Sequence, residues 1–501
     1  MPRETDPLLA RSSSRDASEE REAPEPGQPS TPGFAWLASV VLLAAVANGM
    51  AMYARYEHYQ NEFCPQSTWS CGTFKPQFHL PGFTVYHEPT VTFAGFVVSF
   101  ISAGWWSRVG DQRGRKLILL LPILGTVVFD LLFLIVAAVG NELSDDDKRD
   151  VLSIGFIVRG LLGGWATFGG AVYAYVADIA ESSENRMILF AAVEALSVLG
   201  VALGGGLATA THSFKSAYGL SIAVGLSNLA YAHFLLPNTT PLLAPATESD
   251  LPPNPPAQSL VATVFLPVTT FFRNGGRALP LMGLASYLYS QTVALDSGSM
   301  SYTEEYAYSH PSPWLVYLPP RILALLTLLI IFPAGIRYYT KRSPSCSTDP
   351  AALPLTLARN ALLALIALIG TILLFCHLIY SYPPNAPSTR HAGAPILYAV
   401  CFLLIPLVSA LPGVGLYALA AAYVARIGRK GETGQLFAAM KLWAELGASI
   451  SYAWYYGYGI YSETSVYLFF ALVCLMPNPP EPEAVVAQVP QAGETAEQPE
   501  S

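Results

Sequence analysis

Long apolar runs alternate with short charged segments over most of the chain. A run of about twenty apolar residues predicts a membrane-spanning helix, because the hydrocarbon core is about 30 Å thick and a helix rises 1.5 Å per residue. Twelve such helices are predicted, at 34–54, 89–107, 117–139, 153–176, 187–210, 216–236, 278–298, 313–336, 358–380, 394–424, 436–457 and 462–476. The pattern therefore indicates an all-α membrane protein with twelve transmembrane helices.

The composition agrees with a membrane protein. Lys, Arg, Asp and Glu make up 12% of the 501 residues, against roughly 25% in soluble domains, and hydrophobic residues make up 52%. So few charges could not cover the surface of a water-soluble protein of this size. Residues 1–33 and 477–501 are rich in Pro and Glu and are predicted to be disordered cytoplasmic tails. The first tail has no apolar core, which argues against a cleaved signal peptide.

The positive-inside rule orients the predicted helices. An even number of spans places both tails on one side, and the segments on that side hold 18 of the 27 Lys and Arg residues, against 6 on the other side. Both termini are therefore predicted to be cytoplasmic. The segment from Glu4 through Leu8 and Leu9 resembles an acidic dileucine sorting signal, which suggests the vacuolar membrane; the plasma membrane is the alternative.

A Pro-rich stretch and an internal repeat divide the chain into two halves. Residues 237–277 separate the sixth and seventh predicted spans, and their apolar part at 260–272 is too short to span, so it is expected to lie at the membrane interface. The segment AYVADIAESSENRMILFAAVEALSVLG, from Ala174, resembles AYVARIGRKGETGQLFAAMKLWAELG, from Ala422. Two pseudo-symmetric six-helix halves, 34–236 and 278–476, are predicted, joined by a cytoplasmic linker.

The charged segment SRVGDQRGRK, from Ser107, is predicted to be a tight loop at a membrane edge. It resembles motif A of the major facilitator superfamily, although Ser107 and Gln112 depart from that pattern. The matching positions are Asp111, Gly114, Arg115 and Lys116. Arg159 and Gly163 are similar to the family's motif B, and the resemblance covers 34–476. The most similar branch is that of tetracycline exporters and proton-coupled folate transporters, in a fungal style.

The resemblance implies a cytoplasmic gate at Asp111. In this family the motif A aspartate docks at the start of the eleventh span, here near 433–435, where unpaired backbone N–H groups favour an anion. Asp111 would then hold the two halves together, and Arg108 or Arg115 would pair with Asp178. The alternative is that these charges only set the orientation of the chain in the membrane.

Charged residues inside predicted spans are candidates for proton coupling. A charge at a helix centre costs about 2.5–3.5 kcal/mol on insertion scales, so Arg159 is expected to face the bundle interior. Glu194 lies among small apolar residues, whose burial of a carboxylate favours its neutral form and suits a proton carrier. Its repeat counterpart is Lys441, for which Glu445 is an i+4 neighbour. Asp130 is a further candidate, and structural pairing of Arg159 with Asp130 or Glu194 is the alternative.

Four polar residues are candidates for the substrate cavity: Gln291, Arg321, Lys441 and Glu445. Cys64 and Cys71 share one predicted hydrophilic loop and would form a disulfide if that loop faces an oxidising compartment; two unpaired thiols are the alternative. No pair of cysteines has the spacing of a metal site, and no metal is predicted.

The function implied by the resemblance is secondary active transport of a small solute. Proton coupling and alternating access about a midplane cavity are expected. No P-loop, G-x-S-x-G or HExxH motif occurs, so neither an enzyme nor a nucleotide-driven pump is predicted, and no cofactor. The expected partners are the lipid bilayer, a small solute and protons, without nucleic acid, and the chain is expected to be a monomer. The competing interpretation is a non-transporting membrane sensor or scaffold with the same fold.

Overall fold

The computed structural model describes residues 33–63, 89–139, 142–211, 213–239, 265–272, 277–290, 321–342, 413–425 and 427–458. All regular secondary structure in these ranges is helical. The helices are α1 (Phe34–Phe63), α2 (Pro89–Arg113), α3 (Arg115–Val139), α4 (Asp145–Leu161), α5 (Gly164–Ile179), α6 (Ser183–Ala210), α7 (Phe214–Phe234), α8 (Leu266–Phe272), α9 (278–290), α10 (321–342), α11 (Gly413–Ala425) and α12 (Thr433–Tyr458). The predicted spans at 358–380 and 462–476, both predicted tails, Cys64, Cys71 and Gln291 lie outside the described residues.

Several helices have the length and composition of membrane spans. Within the described ranges these stretches are Phe34–Arg55, Arg115–Val139, Asp146–Ile179, Ser183–Ala210 and Arg321–Tyr338, with a shorter apolar helix at Gly413–Ala425. They coincide with predicted spans, because each contains a long apolar stretch. The structure is thus that of an all-helical membrane protein.

The sequence predicts a loop at 107–116, but the connection in the structure is much shorter. α2 continues to Arg113 and α3 begins at Arg115, so a single residue, Gly114, connects the two helices. Gly114 has a φ of +98°, in the left-handed region that glycine adopts without steric penalty. The chain therefore reverses within one residue, and Asp111 is held on the last turn of a helix rather than on a loop.

The predicted fourth span is broken in the middle. α4 starts with a capping box formed by Ser144 and Asp147, and it ends at Leu161. Gly163 and Gly164 then have φ values of +99° and +60°, and α5 begins. Two consecutive residues in the left-handed region interrupt the helical hydrogen bonds, which only a Gly-Gly pair allows without strain.

α1 and α6 pack closely along their length through small residues. A Cβ atom at Gly204 of α6 would overlap the carbonyl oxygen of Val46, and one at Gly200 would lie 2.5 Å from the Cβ of Ala45. The four-residue spacing places both glycines on the helix face that meets α1. α7 lies on the other side of α1 and also packs against α3.

We expect Gly204→Leu to prevent correct packing of α6 on α1, because the added side chain meets backbone that cannot move aside. Overpacking of this kind costs about 1–3 kcal/mol or more. The yield of monodisperse protein in detergent, measured by fluorescence-detected size exclusion, should fall severalfold. Gly206→Leu is the matched control, since no atom lies within 4 Å of a Cβ at Gly206. Equal yields of the two variants would contradict the close approach.

The short helix α8 covers one end of the bundle. Its described residues include the C-terminal part of the predicted interfacial segment, and Leu266, Pro267, Thr270 and Phe271 are buried. α8 packs against α12 and α2, and Arg429, just before α12, donates to the carbonyl oxygen of Thr270 at 3.4 Å. Phe272 is 68% exposed and points away from the bundle.

Candidate functional site

Asp111 binds the N-terminus of α12. Its side chain is buried, and its two oxygens accept hydrogen bonds from the backbone N–H groups of Gly434 at 3.0 Å and Gln435 at 3.1 Å. These N–H groups lie in the first turn of α12, where no carbonyl within the helix can accept from them. The contact expected from the sequence is therefore present, and it joins α2 to a helix more than 300 residues away in sequence.

A buried arginine completes the cluster around Asp111. Arg115, the first residue of α3, donates to Asp111 and also from its Nε atom to Asp178 at 3.1 Å. Of the two arginines considered for Asp178, Arg115 forms the pair. One guanidinium thus links the ends of α2 and α5, and Lys116 beside it is half-buried. We call Asp111, Arg115, Asp178, Gly434 and Gln435 the Asp111 cluster.

Gly434 belongs to the Asp111 cluster although sequence reasoning missed it. A Cβ atom at this position would lie 2.7 Å from Oδ1 of Asp111 and would overlap the guanidinium of Arg115. Any side chain would therefore push the carboxylate away from the helix terminus. The position of this glycine directly before Gln435, within the segment named for docking, was the signal available in the sequence.

A second cluster forms where α6 meets α12, and in it residues contact their own repeat counterparts. Phe190 and Phe437 occupy equivalent positions in the two copies of the repeat, and their rings meet edge to face with centroids 5.9 Å apart. One turn further along each helix, Lys441 Nζ lies 3.5 Å from Oε1 of its counterpart Glu194. Contacts between equivalent residues of a repeat are the arrangement expected close to a pseudo-twofold axis relating the two copies.

Two stacked tyrosines surround the Glu194–Lys441 pair. The hydroxyl of Tyr173 on α5 donates to Oε1 of Glu194, and its ring stacks on that of Tyr417 on α11, with centroids 4.5 Å apart at an interplanar angle of 14°. Lys441 Nζ lies 4.8 Å from the centroid of the Tyr173 ring and 4.9 Å from that of Tyr417. Cation–π attraction therefore adds to the ion pair. We call Tyr173, Phe190, Glu194, Tyr417, Phe437 and Lys441 the axis cluster.

Glu194 is less buried than its sequence surroundings indicated. The side chain retains 32% of its exposure, and that of Lys441 retains 24%. The small residues beside Glu194 do not enclose it, because Ala191 and Ala195 face the interior of the bundle while Glu194 points toward α12. The Glu194–Lys441 ion pair is therefore partly accessible to solvent.

Asp130 belongs to a third group of charges, which lies within the first seven helices. It forms an ion pair with Arg55 of α1, and both side chains are almost fully buried. Ser221 of α7 donates to the second carboxylate oxygen at 2.8 Å. The predicted first span, 34–54, ends just before Arg55, whereas α1 extends to Phe63 and burial of the Arg55 guanidinium is stabilised by its partner.

Arg159 lies close to the Arg55–Asp130 pair without forming an ion pair with Asp130. Its guanidinium lies over the ring of Phe129, 5.1 Å from the centroid, and Arg55 lies over the same ring at 4.7 Å. Asp130 interacts electrostatically with Arg159, although its ion pair is with Arg55, and Glu194 forms its ion pair with Lys441. Glu445 of α12 interacts electrostatically with both Arg159 and Lys441, and so connects this group with the axis cluster.

Of the remaining candidate residues, the structure describes only some. Arg321 is half-buried at the first residue of α10, and Gln291 and both loop cysteines lie outside the described residues. In the described part of the chain, no group of His, Cys, Asp and Glu has the arrangement of a metal site.

Comparison with known sequences identifies related transporters. The profile of the Major Facilitator Superfamily matches residues 37–452. The MFS-type transporter avaJ of Aspergillus versicolor is 27% identical over 254 residues, which are 47% of this chain and 47% of that protein. The lysosomal proton-coupled steroid conjugate and bile acid symporter SLC46A3 of Gallus gallus is 28% identical over 159 residues, 31% of this chain and 33% of that protein. The chain thus matches half or less of the length of these curated relatives.

Solved structures share the fold over nearly the whole chain. The human organic anion transporter MFSD10 (TETRAN) superposes with a TM-score of 0.56 at 16% identity, covering 91% of this chain and 100% of that one. The E. coli fucose:proton symporter FucP gives 0.55 at 14% identity, covering 88% and 97%. At these identities the likeness concerns the fold alone.

Proposed function

Because this chain belongs to the major facilitator superfamily, we propose that it is a secondary transporter that couples movement of a small solute to protons by alternating access. It is a multi-pass membrane protein of a family of transporters, not an enzyme. The observation that carries the proposal is the contact between Glu194 and Lys441 across the two predicted halves. A charge pair at that place must separate whenever the halves move apart.

The Asp111 cluster and the axis cluster hold the predicted halves together from one end to the middle of the bundle. We assign that end to the cytoplasm, because the charged segments there include the predicted cytoplasmic ones. The arrangement described above is then the state closed to the cytoplasm. Opening to the cytoplasm requires Asp111 to leave the N-terminus of α12 and Tyr173 to leave Tyr417, and both sets of contacts re-form when the halves rock back.

The proton step follows from the exchange of partners at Glu194. When the halves part, the carboxylate loses the ammonium group of Lys441, which balances its negative charge in the closed state. It then takes up a proton from the side to which the cavity is open. On closure Lys441 returns as the cation that balances the carboxylate, and the proton leaves. The relative described as a proton-coupled symporter supports proton coupling in this chain.

The proposal is tested by flux measurements on purified full-length protein in liposomes. An untargeted metabolite comparison of cells lacking and overproducing the protein supplies the solute. We expect a pH gradient to drive its accumulation, and Glu194→Gln to abolish that accumulation, because the amide cannot exchange a proton. Glu181→Gln is the matched control, since Glu181 is an exposed carboxylate in the turn before α6.

Two results would overturn the proposal. Accumulation by Glu194→Gln at the native rate would show that coupling does not run through this carboxylate. Binding of the solute without flux through the native protein, with or without a gradient, would identify a sensor or scaffold instead.

A further inference from the structure

The end of α4 lies within a membrane span rather than at its edge. The stretch Asp146–Ile179 is long and apolar enough to cross a membrane, and the break at Gly163 and Gly164 falls near its middle. A helix end leaves its last carbonyl groups without helical donors, and in the hydrocarbon region no water replaces them. The carbonyl oxygen of Leu161 is such a group, because its helical donor would be the N–H of Trp165, beyond the break.

Side chains of α2 supply donors to the end of α4. The indole Nε1 atom of Trp106 donates to the carbonyl oxygen of Leu161 at 2.8 Å, and the hydroxyl of Ser102 donates to that of Gly160 at 2.5 Å. Ser102 and Trp106 are four residues apart and therefore lie on one face of α2. The two helices approach closely here, since a Cβ atom at Gly160 would lie 2.8 Å from the carbonyl oxygen of Gly95.

Arg159 belongs to the turn that these hydrogen bonds hold. It directly precedes Gly160, its side chain is buried, and its guanidinium lies over the ring of Phe129. Glu445 of α12 attracts it electrostatically. Because Arg159 and Glu445 belong to different predicted halves, this attraction favours the state in which the halves are in contact. Its strength falls with distance, and so depends on where the last turn of α4 is held.

The same part of α2 also lies against α12. Ala103, between the two donor residues, forms a small buried cluster with Ala166 in the first turn of α5 and Leu442 of α12. α5 then continues along α12, where a Cβ atom at Gly170 would lie 2.6 Å from the backbone of Ala438. The break in the fourth span is therefore next to the contact between the predicted halves.

We propose that Trp106 and Ser102 are positioning residues of the transport cycle. They hold the last turn of α4 at the place from which Arg159 attracts Glu445 across the two predicted halves. The state closed to the cytoplasm is stabilised as a result, so this role rests on the proposed function, which defines that state. Both residues act through the backbone of α4 and need no contact with the solute.

Amide hydrogen exchange of the full-length protein in nanodiscs, measured by mass spectrometry without solute or gradient, tests this role. Trp106→Phe keeps an aromatic ring and removes the donor. One hydrogen bond corresponds to about a fivefold change in an equilibrium, so we expect exchange at residues 433–440, in the first turns of α12, to become up to about fivefold faster. Ser102→Ala should act in the same direction. Trp105→Phe is the matched control and should leave exchange unchanged, because Trp105 is the neighbouring residue on α2 and its side chain is 51% exposed.

The double variant Trp106→Phe/Glu445→Gln separates positioning from a local packing defect. If Trp106 acts through Arg159 and Glu445, exchange at 433–440 should be no faster in the double variant than in Glu445→Gln alone. A packing role alone would speed exchange near the break, at residues 158–166, and would add to the effect of Glu445→Gln.

Two results would overturn the proposal. Native exchange at 433–440 in both Trp106→Phe and Ser102→Ala would show that these donors do not stabilise the closed state. An increase caused by Trp106→Phe that is as large in the Glu445→Gln background as in the native protein would show a packing role only. Neither measurement involves flux, so both results are distinct from a failure of the coupling step at Glu194.

Discussion

Asp111→Asn is expected to reach the membrane in normal amount and to transport roughly thirtyfold more slowly than the native protein. The carboxylate accepts from two N–H groups at the start of α12 and balances Arg115. An anion at a partly buried helix N-terminus is worth up to about 2 kcal/mol, which is about a thirtyfold change in the population of the state it stabilises. Because that state closes one end of the pathway, its loss stalls the transport cycle.

Uptake into cells, normalised to folded protein by size exclusion, measures this effect. Asp150→Asn is the matched control, since Asp150 is an exposed carboxylate on α4. Native uptake by Asp111→Asn would show that the carboxylate does not hold the closed state and that the motif serves only to orient the chain.

Asp130→Leu is expected to cost about 3–5 kcal/mol of stability, because it leaves the guanidinium of Arg55 buried without its counter-ion. The effect is increased by Arg159, whose guanidinium lies over the same Phe129 ring. Without Asp130, two positive charges remain close to one aromatic ring. The apparent Tm in detergent should fall, and with it the amount of folded protein.

The double variant Arg55→Met/Asp130→Leu separates this explanation from a simple packing defect. Replacing a whole buried ion pair by apolar residues of similar volume is often neutral or stabilising. We therefore expect the double variant to recover most of the Tm lost by Asp130→Leu. A double variant as unstable as the single one would show that Asp130 matters for its shape or for Ser221, not for the charge on Arg55.

The sequence predicts the spans well where an apolar run is uninterrupted, as for α3 and α6, because the length of such a run is set by the thickness of the membrane. The contact of Asp111 with α12 was also predictable, since a short motif carries it. The Arg55–Asp130 pair was not. A charge near the end of an apolar run is normally placed in water, and only the position of α3 beside α1 shows that a partner 75 residues away balances it.

Two other features had signals in the sequence that were not used. The adjacent glycines at 163 and 164 indicated a break in the fourth span, but the apolar character of the run concealed it. The contact of Glu194 with Lys441 follows from the repeat once the position of the pseudo-twofold axis is known. Sequence alone gives the equivalence of two residues but not their distance from the axis, which depends on how the helices pack.

The meeting of equivalent residues on the axis constrains how the two copies of the repeat could diverge. A position that faces its own counterpart cannot carry the same charge in both copies, because like charges would then repel each other at close range. Phe190 and Phe437 can be identical since two rings attract each other. The opposite charges of Glu194 and Lys441 therefore mark a position at which the two copies of the repeat have diverged.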